Sequence, residues 1–325
     1  MSAPSAGPSR GTSAPGPLDP ALAEQVRALA YRARTIADGV LSGAHRSPHR
    51  GASVVFVEHR EYRPGDDLRL LDWRAAARTD RLVLKRFEQE TQLKAHLVLD
   101  RSASMAFPES PDAPGRKIGV GATLLAAFAY LLLRQGDAVG AAFLDGRLAD
   151  PIPARSRPAH LEVLLRSLAE AAALPAEGAA PETRLRASLF DLAERTGRRG
   201  LVVLASDLLD DDDGALDALG LMTARGHDVV VFQVLTPIEL DLTVDDAPAR
   251  YLGLEGEPAV EADPSVLAAG YRAEVADWLE DRRRRCVGVG ARWILARTDA
   301  PPENLIAQAL GLAAAAPPGG AARTG

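Results

Sequence analysis

A single short stretch, His96 to Met105, gathers residue types that can hold a cation. The apolar run Leu97 to Leu99 is followed by Asp100, Ser102 and Ser104 at alternate positions. In extended backbone alternate side chains face the same way, so one carboxylate and two hydroxyls converge on one spot. These are hard oxygen donors of the kind Mg2+, Mn2+ or Ca2+ accept. They bring one formal negative charge against the ion's two, so a bound ion stays electrophilic. The competing reading is structural, because Ser and Asp after a strand also satisfy turn and helix-cap hydrogen bonds.

A strand that ends in such a loop needs a sheet behind it, and the chain supplies the pattern for one. The apolar strand candidates are Ala138 to Leu144, Leu201 to Ala205, Val229 to Val234 and Ala291 to Ala296. They alternate with helical patterns at Ile118 to Arg134, Ala159 to Ala173, Leu185 to Arg195, Gly214 to Arg225, Asp263-Pro264 to Arg285 and Pro302 to Ala314. Strands that alternate with helices imply βαβ units, hence an α/β fold with a mostly parallel sheet covered by helices on both faces. Residues 237–262 read as irregular, with short strands near Leu240 and Tyr251. Gly119-Val-Gly121-Ala opens like a dinucleotide fingerprint, but it follows no strand and lacks the third Gly. Asp210 to Asp213 reads as a solvated loop and helix start.

Upstream the pattern changes. Residues 1–20 are Ser, Ala, Gly and Pro and read as a disordered leader without the apolar segment of a secretory signal. An amphipathic helix follows from Asp19-Pro20 to near Gly43. Short strands and turns come next, with Val54 to Val57 apolar and a turn at Arg63 to Asp67. Glu58 to Glu90 holds eight basic and eight acidic residues, a balance that suits internal ion pairs or a protein docking face rather than a phosphate surface. The predicted organisation is a leader over 1–20, a helix-plus-strand region over 21–92, an α/β domain over 93–316 and a disordered tail over 317–325.

Composition narrows the function classes. At 325 residues, with 47% hydrophobic and 25% charged residues, the chain should bury a sizeable core. A net charge of -6 argues against a general nucleic-acid or anionic-membrane surface. One cysteine, Cys286, allows no intrachain disulfide and no cysteine-based metal site, which suits a reducing, cytoplasmic setting. The most apolar window, Ile118 to Leu133, is sixteen residues, short of the ~20 that span a bilayer, and reads as a buried helix.

Asp-x-Ser-x-Ser after a buried strand resembles the first loop of the metal-ion-dependent adhesion site of von Willebrand factor A-type domains. A closer likeness is carried by His45-Arg-Ser-Pro-His-Arg-Gly51, by Glu58-His-Arg-Glu-Tyr-Arg-Pro-Gly-Asp-Asp-Leu-Arg69, by Leu71-Asp-Trp-Arg74, Ala77-Arg78 and Phe87-Glu-Gln-Glu90. These resemble the signature of the bacterial and archaeal "domain of unknown function 58" family, which leads directly into Asp-x-Ser-x-Ser-Met. Val55 departs from it, standing where members commonly carry an acidic residue.

The resemblance implies a von Willebrand factor A-like fold, similar to a Rossmann fold. It also implies a metal site of Asp100, Ser102, Ser104, Thr183 and Asp207, with Mg2+ the expected ion and Mn2+ or Ca2+ alternatives. Thr183 would come from a second loop, where it is equally a helix N-cap, and Asp207 from a third. The strand ahead of Asp207 gives independent support, because open parallel sheets bind ligands at the carboxyl ends of their strands. The implied partner is a MoxR-type AAA+ ATPase or a client protein offering an acidic residue, in the maturation of client complexes, with no nucleic acid and no membrane span.

The chain has no Gly-x-x-x-x-Gly-Lys-Ser/Thr loop, so the ATP chemistry would be the partner's. A chaperone-like, non-enzymatic role is the expectation. The alternatives are a metal-dependent hydrolase or phosphotransferase built on Asp100, and a metal-free scaffold. Ser102 stands where aspartyl-phosphate enzymes carry a second Asp, and the six histidines are scattered.

Overall fold

The computed structural model describes residues 20–44, 59–61, 83–85, 93–108, 110, 113, 115–144, 148, 151–173, 185–197, 199–209, 214–242, 249–251 and 260–312. The expected leader, the apolar run at Val54 to Val57, the Pro64-Gly65 turn, Thr183, Asp210 to Asp213 and the tail lie outside them. In chain order the described elements begin with α1 (Pro20–Ala44), β1 (His59–Glu61) and β2 (Val83–Lys85). Next come β3 (Lys94–Asp100), α2 (Lys117–Arg134), β4 (Ala138–Leu144), β5 (Ile152–Arg155), α3 (His160–Ala173) and α4 (Leu185–Arg195). The chain continues with β6 (Gly200–Ser206), α5 (Gly214–Ala224), β7 (His227–Leu235), α6 (Pro237–Asp241), β8 (Ala249–Tyr251) and β9 (Val260–Ala262). It closes with α7 (Pro264–Gly288), β10 (Arg292–Arg297) and α8 (Pro302–Ala309).

Six strands form one sheet in the order β10-β7-β6-β3-β4-β5. Every neighbouring pair is parallel except β4 and β5. The expected mixed α/β fold with a mostly parallel sheet is therefore what forms. Its central strands carry the apolar runs 97–99, 138–144, 201–205 and 229–232, because both faces are covered, as parallel sheets require. In β3 the pleat sends Leu97 and Leu99 to the face packed by α1, α2, α3 and α8, and Val98 to the face packed by α4 and α5. Phe128 of α2 meets Phe232 of β7 edge-on at 5.9 Å on the first face.

Helix α1 joins this same core, burying Leu29, Ala33, Ile36, Ala37 and Val40 at helical spacing. α2 is 18 residues and is apolar enough to cross a bilayer by length and composition, but 78% of it is buried within the fold. β1 and β2 form a separate antiparallel pair, as do β8 and β9.

Several expectations are corrected. The strand expected near Leu240 is the short helix α6. Thr236 caps it, its hydroxyl accepting from the Glu239 amide while the Glu239 carboxylate accepts from the Thr236 amide, with Pro237 in the first turn. Helix α7 runs on to Gly288, and α8 stops at Ala309 rather than Ala314, the chain turning through Gly311 at φ 69°. The edge strand β5 is an addition. Its Pro153 suits an edge, and β5 approaches β4 so closely that a Cβ on Gly140 would stand 2.5 Å from the Ile152 carbonyl oxygen.

One contact fixes the height of the sheet's carboxyl edge. A Cβ on Gly121 of α2 would lie 3.1 Å from Leu99 Cδ1 and 3.2 Å from the Ala205 Cβ. Glycine there lets α2 rest against the two residues that precede Asp100 and Ser206. Gly121→Val is expected to lower stability by about 1–3 kcal/mol through overpacking, read from urea denaturation. Unchanged stability would show that α2 can lift without cost.

Candidate metal centre

Pairing of β3 with β6 sets Leu99 beside Ala205, which brings the two strand ends, Asp100 and Ser206-Asp207, side by side. Asp100 is 1% exposed, and both of its oxygens are engaged. Oδ1 accepts from the Ser102 amide at 2.9 Å, and Oδ2 accepts from the Ser206 hydroxyl at 2.6 Å. The first of these is the tight Asx-type turn foreseen as the structural alternative, so the carboxylate shapes its own loop. Ser102 Oγ and Ser104 Oγ lie 3.0 Å apart, Ser104 opening a 3-10 turn over Ser104–Ala106.

Beyond β6 the chain turns sharply. Leu208 adopts φ 55°, an uncommon conformation for a side chain of its size, and its amide donates to Ser206 Oγ at 3.1 Å. Asp207 Oδ1 accepts from the Leu209 amide at 3.3 Å, while its carbonyl accepts from Gln233 Nε2 at 3.0 Å. Gln233 in turn accepts from Trp293 Nε1 at 2.8 Å. Strands β6, β7 and β10 thus brace the third loop through a chain of hydrogen bonds.

The partner that sequence reasoning missed is Lys117. Its ammonium, fully buried, donates to Asp207 Oδ2 at 2.8 Å and to Glu239 Oε1 at 2.5 Å. Lysine in the first turn of α2 opposes the helix dipole, so its place there depends on those carboxylates. Burial works against its charged form, yet Asp207 and Glu239 outweigh burial and raise its pKa above the ordinary lysine value. Beside it, Arg116 donates from Nε to the Ala106 carbonyl at 3.0 Å and from Nη1 to the Ala172 carbonyl at 2.6 Å, tying the Asp100 loop to α3.

The donor set fits a small, hard cation in part. Among the described residues no group of three or more His, Cys, Asp or Glu side chains forms a metal cluster, so an ion here depends on hydroxyls. The Ser102–Ser104 spacing matches adjacent corners of an octahedron at Mg2+ bond lengths, about 3.0 Å, although it is also an ordinary hydroxyl hydrogen bond. Charge is the stronger point. Asp207 and Glu239 converge on one ammonium and Asp100 lies beside Asp207, three carboxylates to one cation, and buried charge without a counter-charge is costly. Burial and then the charge of Asp207 push Asp100 up to about 7, against hydrogen bonds from Ser206 and Ser102 that pull the other way. Asp100, Ser102, Ser104 and Asp207 are thus brought together, and Thr183 falls outside the described residues.

The shift has a defined sign. A carboxylate raised from 3.8 to about 7 leaves the folded state holding more protons than the unfolded one in that window, so its contribution falls as pH rises through it. His96, lowered to about 4 by burial and then by His227 and Lys94, acts oppositely between about 4 and 6.5. A single pH curve therefore mixes the two. In chelated protein, Asp100→Asn is expected to gain on the unsubstituted chain by a few kcal/mol between pH 5 and 8, read as the difference between two denaturation series. Parallel curves would mean that Asp100 ionises without hindrance.

A family model described as protein of unknown function DUF58 matches residues 58–255. The uncharacterized protein Rv1480 of Mycobacterium tuberculosis is 32% identical over 288 residues, 86% of each chain. The uncharacterized protein YeaD of Bacillus subtilis is 34% identical over 133 residues, 41% of this chain and 30% of its own. Among solved structures, the conserved hypothetical protein BatB from Bacteroides thetaiotaomicron aligns with a TM-score of 0.41 and 18% identity, over 67% of this chain and 97% of that one. An aerotolerance-related membrane protein from Bacteroides fragilis aligns with a TM-score of 0.40 and 17% identity, over 67% and 98%. With the family model matching more than half of its length, the chain belongs to the DUF58 family.

Proposed function

We propose that this chain is a von Willebrand factor A-like, metal-dependent protein-interaction protein rather than an enzyme. In this reading Mg2+ is held at the carboxyl edge of the sheet by Ser102 and Ser104, with Asp100 and Asp207 in support and Thr183 as a further donor. An acidic side chain of a partner completes the ion's coordination. The observation that carries the reading is the convergence of the Asp100 loop and the Ser206-Asp207 turn into one buried site with more negative charge than Lys117 offsets. An enzymatic role for Asp100 is less well supported, because a nucleophile needs access and a free lone pair aimed outward. This carboxylate is buried and accepts hydrogen bonds on both oxygens.

The proposed partner is a MoxR-type AAA+ ATPase, together with a client presenting the acidic residue. This part rests on the family likeness alone. A cytoplasmic setting suits the single cysteine, which is buried and whose thiol burial pushes up to about 11, far from a reactive thiolate. The test is to purify the tagged chain from its host in Mg2+ and again in chelator, alongside Asp100→Asn in Mg2+. An AAA+ ATPase recovered only by the unsubstituted chain in Mg2+ is the expected result. The same proteins recovered in all three preparations would overturn the metal-dependent reading.

A further inference from the structure

We infer that Lys117 is the resident counter-ion of Asp207, keeping that carboxylate out of the coordination sphere of the ion and so setting how tightly the Asp100 loop holds it. The inference rests on the proposed cation site and assigns a positioning residue to it. Each Asp207 oxygen already accepts a hydrogen bond, Oδ2 from the Lys117 ammonium at 2.8 Å and Oδ1 from the Leu209 amide at 3.3 Å, and the ammonium offsets the carboxylate's charge. The ammonium cannot turn to solvent, since Lys117 is 0% exposed. Its second partner is fixed as well. Glu239 Oε2 accepts from the Thr236 amide at 2.7 Å and the Thr236 hydroxyl at 2.8 Å, and the Glu239 carbonyl accepts from Tyr271 of α7 at 2.7 Å.

Two consequences follow for an ion at the Asp100 loop. Asp207 acts on it through space rather than by a bond, leaving, among the described residues, the Asp100 carboxylate and the two serine hydroxyls. The ion also meets a fixed positive charge on the far side of Asp207, which weakens its hold. Both leave the ion more dependent on a partner's carboxylate.

The test conserves charge. The unsubstituted cluster carries three carboxylates and one ammonium, formally -2, and Lys117→Met with Glu239→Gln leaves two carboxylates, again -2. Calorimetric titration of the full chain with Mg2+ and Mn2+ is paired with thermal unfolding with and without Mg2+. The double variant should bind Mg2+ about tenfold more tightly, with a correspondingly larger upward shift in Tm on adding Mg2+. Equal or weaker binding by the double variant, with clear binding by the unsubstituted chain, overturns the role of Lys117 and leaves the cation site standing. Binding by the double variant alone supports the role of Lys117 and refutes a working site in the unsubstituted chain. Absence of binding in both removes the site and the inference together. Asp207→Asn gives a second arm should the double variant fail to fold. Because Lys117 already offsets its charge, Asp207→Asn should cost less in Mg2+ affinity than the roughly 10–100-fold expected of Asp100→Asn, whereas an equal or larger loss would show that Lys117 does not hold Asp207 back and refute the inference.

Discussion

Lys117→Met should destabilise the chelated protein by roughly 3–5 kcal/mol, the usual penalty for removing one partner of a buried ion pair. The size follows from what remains. Asp207 is left at 2% exposure, beside Asp100, with the Leu209 amide the one remaining donor to its carboxylate among the described residues. Glu239 is less affected, because its side chain is 23% exposed and Thr236 still donates to it. Methionine fills the space of the lysine stem, so little of the loss comes from a cavity. Urea denaturation at fixed pH checks it, and a loss under about 1 kcal/mol would mean that the buried pair contributes little to stability. Added Mg2+ should recover part of the loss, since the ion supplies the missing positive charge.

The second large effect concerns Asp100→Asn. The amide keeps an acceptor for the Ser102 N–H and can donate to Ser206 Oγ, so the loop should hold its shape. What disappears is the single negative charge nearest the two hydroxyls. Support of this kind is commonly worth 10–100-fold in metal affinity. With the fold intact, Mg2+ binding should fall by about 100-fold and the Mg2+-dependent partner should be lost from purifications. A folded variant that captures the partner undiminished would separate Asp100 from the function assigned to it.

The sheet was readable in the sequence because parallel strands buried on both faces leave unbroken apolar runs. Ala138–Leu144 has the same bounds in sequence and structure, and so does the helix Leu185–Arg195. Where a capping signal competed with an apolar cluster, the reading failed. Thr236-Pro237-Ile238-Glu239 carries a capping box and a first-turn proline, yet Leu240 drew a strand assignment. The strand Ile152–Arg155 is four residues with a proline, too short for a period to show.

Within the site, Asp100, Ser102 and Ser104 were legible because their order is local. Asp207 was legible from its position at a strand end. Lys117 looked like a charge flanking an apolar helix, since its partners lie 90 and 122 residues away and only the fold brings them together. Glu239 was hidden for the same reason, although its capping role was written in the four residues from Thr236. Local oxygen-donor motifs survive in a single sequence, whereas the counter-charge that pairs with Asp207 is a product of topology.

The most direct test of a cation at the Asp100 loop is calorimetric titration of the unsubstituted chain with Mg2+, beside the Asp100→Asn variant under the same conditions. A single saturable site that weakens about 100-fold on substitution is the predicted result. No saturable heat from the unsubstituted chain at millimolar Mg2+, or equal affinity in both proteins, would contradict it.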